Sequence, residues 1–168
     1  SPEDARAMYD GWASDPQVTR FLTWPPHTSP ELTRQLLESW CAQYPKADYY
    51  NWAIRAQGRL IGNISVVEVD ERSERVALGY CLSAACWNHG YMTEAVRAAL
   101  RYAFEELRLQ LVTVYHFAYN QRSRRVIEKA GFVSEGTLRR AFVRYDGRIF
   151  DECSYSMTRD EWQKAQER

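Results

Sequence analysis

Between Val76 and Leu107 the apolar residues change period, and this change restricts the chain to folds that join a sheet to a packed helix. The run Val76-Ala77-Leu78-Gly79-Tyr80-Cys81-Leu82 alternates as a strand does. After Trp87-Asn88-His89-Gly90-Tyr91, residues Met92, Val96, Ala99, Leu100, Ala103 and Leu107 recur three or four apart. Glu94, Arg97, Arg101 and Glu105 take other positions on the wheel, so the segment is an amphipathic helix. Upstream, Tyr50–Ala56 and Leu60–Val69 are expected strands joined at Gln57-Gly58. Downstream, Leu111–Tyr119 is an expected strand and Asn120–Ala130 a short helix ended by Gly131. Thr137–Tyr145 and Arg148–Met157 flank the hairpin signal Asp146-Gly147, and a charged helix starts at Arg159. The first third is expected to be helical: Pro2–Ala13 permits helix, and Ser29-Pro30-Glu31 caps a second. Between them, Phe21-Leu22-Thr23-Trp24-Pro25-Pro26 is too proline-bound to be helix interior. This order predicts an α/β class of α+β mixed type, with a mixed sheet and helices on both faces. The 168 residues suit one domain.

Charge and cysteine usage remove several functions. Lysine plus arginine equal aspartate plus glutamate at 22 each, so the chain lacks the basic excess of a protein that grips nucleic acid. No apolar run nears the ~20 residues of a membrane helix, and no charged-then-apolar leader opens the sequence. Cys41, Cys81, Cys86 and Cys153 form no CxxC pair and have no histidine at ligand spacing. That argues against a bound metal and a disulfide framework, and for reduced thiols in a cytoplasmic protein.

A strand, a glycine turn and a long helix form a ready anion site. The first N–H groups of the helix lack intrahelical partners, and the macrodipole favours negative charge there. Gly90 lets the backbone approach a phosphate without an intervening side chain. Taken alone, this pattern is equally that of a plain tight turn.

In its residues, Trp87-Asn88-His89-Gly90-Tyr91-Met92-Thr93-Glu94-Ala95 resembles the pyrophosphate loop of the GNAT acetyltransferases. It is most similar to the RimJ/RimL-type branch, which acetylates ribosomal-protein N termini and related amines. Leu78-Gly79-Tyr80 with Leu82 resembles that branch's fourth strand. Asn120-Gln121-Arg122-Ser123 through Glu128-Lys129-Ala130-Gly131-Phe132 resembles its Asn-x-x-Ser helix. Gly136-Thr137-Leu138-Arg139, Asp146-Gly147, Asp151 and Tyr155 resemble its C-terminal hairpin.

The resemblance implies a mostly antiparallel mixed sheet, with a splay between the family's strands four and five that holds acetyl-coenzyme A. Pantetheine would pair with the backbone at Cys81, Leu82 and Ser83. The pyrophosphate would rest on the N–H groups of Asn88, His89, Gly90, Tyr91, Met92 and Thr93. Asn120 would bond the pantetheine arm, and Ser123 would lie near the thioester sulfur. The family's first strand is expected to be shortened or missing ahead of Ser1.

Two catalytic groups familiar in relatives are absent. The resemblance puts Ile127 where many relatives carry a proton-donating tyrosine, which leaves Ser123 as the implied donor or simply a helix cap. It puts Ala77 where the branch often has a glutamate base. Glu68, His116 and Glu152 remain as candidate bases. His116 shares strand parity with Val112, Val114 and Ala118, a setting equally suited to a core histidine. A free α-amine titrates near ~7.8 and a lysine near ~10.4, so an α-amine needs less help to become a nucleophile. The expected activity is therefore acetyl transfer to a primary amine, with a protein N-terminal α-amine favoured, by direct attack in a ternary complex. A small-molecule or antibiotic acetyltransferase and a noncatalytic acyl-coenzyme A-binding module are the alternatives, and the protein is expected as a monomer or homodimer. Arg122, Arg124, Arg125 and Lys129, with Arg139, Arg140, Arg144 and Arg148, are expected to be mainly a solvated face.

Overall fold

Among the described residues, six strands form one mixed sheet in the order β1-β2-β3-β4-β6-β5. They are β1 (Asn51–Ala56), β2 (Arg59–Asp70), β3 (Arg75–Leu82), β4 (Leu111–Phe117), β5 (Val133–Val143) and β6 (Ile149–Thr158). The computed structural model describes residues 1–167, which group into two units: Ser1–Ser65 with Tyr80–Tyr91, and Val66–Gly79 with Met92 onward.

The first unit is built on short helices and the β1–β2 ladder. Its helices are α1 (Ala5–Met8), α2 (Pro16–Thr19) and α3 (Pro30–Cys41). Ser29 caps α3 as expected, its hydroxyl accepting the Leu32 N–H at 3.2 Å with Pro30 in the first turn. The stretch Pro2–Ala13 is not one regular helix. A 3-10 turn (Pro2–Asp4) precedes α1, and a π-helical turn (Tyr9–Ala13) follows it. The cause lies at Ser14, whose N–H and hydroxyl both reach back five residues to the Tyr9 carbonyl, at 3.2 and 2.8 Å. Ala5, Met8, Trp12, Ala13, Val18, Leu37 and Cys81 form this unit's core, with Trp24, Trp40 and Trp87 packed on it.

In the second unit β3 and β4 are parallel, pairing Arg75–Leu78 with Leu111–Val114. β4 is antiparallel to β6, and β6 to β5. Helix α4 (Tyr91–Arg101) buries Met92, Val96, Ala99 and Leu100, the stripe that the sequence spacing predicts. The π-helical turn Tyr102–Glu106 continues it, with Ala103 and Phe104 buried. Helix α5 (Gln121–Ala130) ends on Gly131, and α6 (Arg159–Gln166) starts with a Thr158–Glu161 capping box.

The end of β4, the start of β5 and the burial of Arg144 differ from expectation. β4 stops at Phe117 instead of Tyr119 because the Phe117 carbonyl accepts the Asn120 N–H at 2.7 Å, turning the chain. β5 begins at Val133, four residues before the sequence pattern suggests, because Val133 and Ser134 pair with Ser156 and Tyr155 of β6. Arg144 is only 8% exposed, so it does not belong to a solvated face. Its guanidinium pairs with Asp146 and lies over the Phe150 ring at 4.9 Å.

Candidate active site

In the first unit, the end of β3 is held from two sides. The Ser83 N–H donates to the Ile61 carbonyl at 2.8 Å, and the Trp87 indole N–H donates to the Leu82 carbonyl at 2.9 Å. The strand therefore runs straight into an anchored loop, and Trp87 has a stated task there. β2 comes so near that a Cβ on Gly62 would lie 2.4 Å from the Cys81 carbonyl oxygen. Cys81 itself is buried, its thiol donating to the Asn63 side-chain oxygen at 3.0 Å. Burial pushes that thiol up to about 12, so it is not an available nucleophile.

Asn88, His89 and Gly90 are exposed in the loop before α4. Gly90 has φ +85°, a left-handed conformation that favours glycine, and a Cβ there would meet nothing within 4 Å. The glycine turn leads directly into an 11-residue helix. His89 and Tyr91 flank it with rings stacked at 5.9 Å. In the first turn of α4, Met92 points into its unit's core and Thr93 is half-buried.

In the second unit, three of the expected residues lie on one hydrogen-bond chain. The Ser123 N–H donates to the Asn120 side-chain oxygen at 3.2 Å. The Asn120 N–H donates to the Phe117 carbonyl at 2.7 Å, and His116 Nδ1 lies 2.8 Å from the same oxygen. Asn120 is thus the N-cap of α5 and Ser123 its third residue, which corrects the reading of Ser123 as the cap. A carbonyl oxygen can only accept, so Nδ1 carries a hydrogen, and in the neutral ring Nε2 holds the lone pair. Nε2 is buried and has no partner among the described residues. Burial pushes the ring's pKa down against the opposing pull of the Phe117 carbonyl, and the Arg124 guanidinium lowers it further.

Glu68 is exposed on β2. Its charge acts on Glu152 of β6, whose carboxyl is pushed up first by burial and then by Glu68. Ala77 and Ile127 are buried at 2% and 0% exposure, so each fills core. Of the basic residues on α5, Arg124 is tied to Glu128 at 2.8 Å, and Arg122, Arg125 and Lys129 are exposed. The sequence carried no sign of the double-acceptor carbonyl at Phe117, because a backbone group has no side-chain signature. Among the described residues no group of three or more His, Cys, Asp or Glu could hold a metal ion, and no helix is long and apolar enough to cross a membrane.

Comparison with known proteins gives this geometry a family. A profile described as "Acetyltransferase (GNAT) domain" matches residues 1–133. The "Putative ribosomal N-acetyltransferase YdaF" of Bacillus subtilis is 29% identical over 143 residues, covering 85% of this chain and 78% of that protein. A solved acetyltransferase structure from T. thermophilus superposes with a TM-score of 0.86 at 31% identity, over 99% of this chain and 87% of the other. At the level of fold alone, the microcin C7 self-immunity acetyltransferase MccE, solved with acetyl-CoA and AMP, has a TM-score of 0.85 at 18% identity, over 94% of this chain and 88% of the other. The chain belongs to the GNAT acetyltransferases and is an N-acetyltransferase that takes its acetyl group from acetyl-coenzyme A and passes it to an amine.

Proposed function

We propose that the acceptor is an α-amine, a protein N terminus above all, and that it attacks the bound thioester directly with no acetyl-enzyme. The observation that carries the second half is Cys81, the buried thiol held protonated to about 12. The first half rests on the missing carboxylate at Ala77: a site with a weakened base suits an amine that is appreciably neutral at physiological pH. The similarity to YdaF, a protein named "Putative ribosomal N-acetyltransferase", points the same way.

In this reading acetyl-coenzyme A is held by the backbone of Cys81, Leu82 and Ser83, by the N–H groups from Asn88 through Thr93, and by the Asn120 side chain. The exposed loop at Gly90 and the polar start of α5 supply the right chemistry for a pyrophosphate and an amide-rich arm. Ser123 donates a proton to the departing thiolate, and Glu68 and His116 are the groups offered for the proton leaving the amine. One domain spans residues 1–168.

The test is competitive. A peptide with a free α-amine and an Nα-blocked peptide with one lysine are mixed at equal concentration, neutral pH and limiting acetyl-coenzyme A. Mass spectrometry is expected to find the acetyl group chiefly on the α-amine. Lysine winning would sink the acceptor assignment, and coenzyme A release independent of any added amine would sink direct transfer.

A further inference from the structure

Strand β5 lies at the edge of the sheet, and its residues from Val133 to Ala141 are all exposed. Leu138 among them is 54% exposed, and Val143 just beyond is 63% exposed. Monomers seldom leave a long edge strand and its apolar side chains uncovered. The strand also lies in a basic stretch. From Tyr119 to Ile149 eight arginines and lysines stand against three carboxylates, in a chain whose totals are equal. We infer that the β5 edge, through Arg139 and Arg140, docks an acidic stretch of the acceptor polypeptide just downstream of its reacting amine. This rests on the α-amine reading above and names the class of N terminus that the same site prefers.

Three observations support the assignment. First, Arg139 and Arg140 lie in a bulge. Leu138 pairs with Glu152 and Phe142 with Phe150, so Arg139, Arg140 and Ala141 together oppose Asp151. Arg140 has φ +54°, a left-handed conformation that a long side chain rarely adopts. The Asp151 carboxylate holds it there, accepting the Arg140 N–H at 2.7 Å. Bulges of this kind concentrate at sheet edges and beside active sites, where they re-aim side chains. Second, neither guanidinium forms an ion pair with a described residue, whereas Arg124 is tied to Glu128 and Arg144 to Asp146. Third, the edge adjoins the reacting end of its own unit. The Asp151 carbonyl accepts the Ala118 N–H at 3.0 Å, two residues before the Asn120 cap of α5. On one face the register runs from Phe117 through Glu152 to Leu138. Phe142 and Phe150 pack on the Phe117 ring there, at 5.3 and 5.2 Å.

Charge along this face therefore passes from negative at Glu152 to positive at the β5 edge, over an apolar floor. Two strand spacings, about 10 Å, separate Phe117 from β5, which an extended chain covers in about three residues. A peptide crossing outward from Asn120 and Ser123 meets a carboxylate near its ammonium and guanidiniums from about its third residue. A second copy of this chain suits the edge less well, because the bulge interrupts the ladder that an added strand needs and two such edges bring like charges together. Nucleic acid would use the arginines but gains little from Leu138 and Val143.

Two peptides of equal length and the same first residue test this. One carries aspartates and glutamates from its third residue on, and the other carries asparagines and glutamines in their place. Coenzyme A release is followed at low and at high salt. The unaltered chain is expected to show a KM about two- to thirtyfold lower for the acidic peptide, the effect of two exposed ion pairs, with kcat alike. High salt narrows the difference. Arg139→Gln combined with Arg140→Asn removes both charges, and asparagine tolerates the left-handed backbone. That variant is expected to treat the peptides alike, keeping the parent's KM for the neutral peptide and for acetyl-coenzyme A. Equal KM values in the unaltered chain, or a preference that salt leaves intact, would overturn the inference even if the variant fails to fold. So would stronger inhibition by a single-stranded RNA of equal charge than by the Nα-acetylated acidic peptide, or a dimer in sedimentation that the double variant abolishes. A chain that acetylates neither peptide but does acetylate a small polyamine removes the α-amine reading itself. One that acetylates both peptides equally well removes only the docking assignment.

Discussion

Asn120 is assigned two tasks, and a pair of substitutions can separate them. Its side-chain oxygen caps α5 by accepting the Ser123 N–H at 3.2 Å, which leaves the amide NH₂ as the group to contact the pantetheine arm. Asn120→Ala removes both. Loss of a cap costs roughly 1 kcal/mol, within a range of about 0.5–2. For a chain of this size that lowers the unliganded Tm by about 2–4 °C. Asn120→Asp keeps an acceptor at the cap, with a charge that the helix N-terminus favours, and removes only the donor. Its unliganded Tm should stay at or above the parent's. Acetyl-coenzyme A at about 100 times its Kd stabilises the parent by ~2.7 kcal/mol, a rise of roughly 5–10 °C. One lost hydrogen bond weakens binding by ~0.5–1.5 kcal/mol, or about two- to thirteenfold. At the same cofactor concentration a tenfold weaker variant retains only ~1.4 kcal/mol, about half the parent's shift. Differential scanning fluorimetry of the three proteins, with and without acetyl-coenzyme A, reads all of these values. A full shift in Asn120→Asp would refute contact through the amide, and an unliganded Tm unaltered in Asn120→Ala would refute the cap.

Two further outcomes are expected. Cys81, held protonated to about 12, should resist iodoacetamide at mildly alkaline pH in the folded protein and react only after denaturation, and Cys81→Ser should retain turnover. Radiolabelled acetyl found on Cys81 would contradict this. Glu152 has a folded-state pKa raised by burial and then by Glu68, so its contribution is present below the unfolded carboxyl range and is lost as pH rises through the folded value. Glu152→Gln should therefore raise the Tm at neutral pH and leave it unchanged near pH 4; an equal change at both pH values would show that packing, not charge, is responsible.

Elements with a strong period were legible in the chain. The α4 stripe and the Ser29 cap follow from spacing and local chemistry, and both occur where those rules put them. The early start of β5 was not legible, because Val133 and Ser134 become strand only by pairing with β6, more than twenty residues on. The burial of Arg144 escaped for a similar reason, since no local rule tells that Asp146 and an aromatic ring will close over a guanidinium. At the site, Asn120, Ser123 and His116 were nameable one at a time from the sequence. Their joining was not, because it runs through the backbone oxygen of Phe117. Likewise the sequence names Trp87, but only the structure gives the indole its partner at Leu82.

The complete burial of Ile127 bears on how the chain can change over time. The family resemblance would put a proton-donating tyrosine here, but the side chain lies in the interior, with no exposed surface for a hydroxyl to reach. Reintroducing tyrosine would force a larger ring into filled space at a cost on the order of 1–3 kcal/mol, with a phenol to satisfy as well. A phenolic donor at this position is therefore not one substitution away, and any proton donor in this chain has to come from another residue.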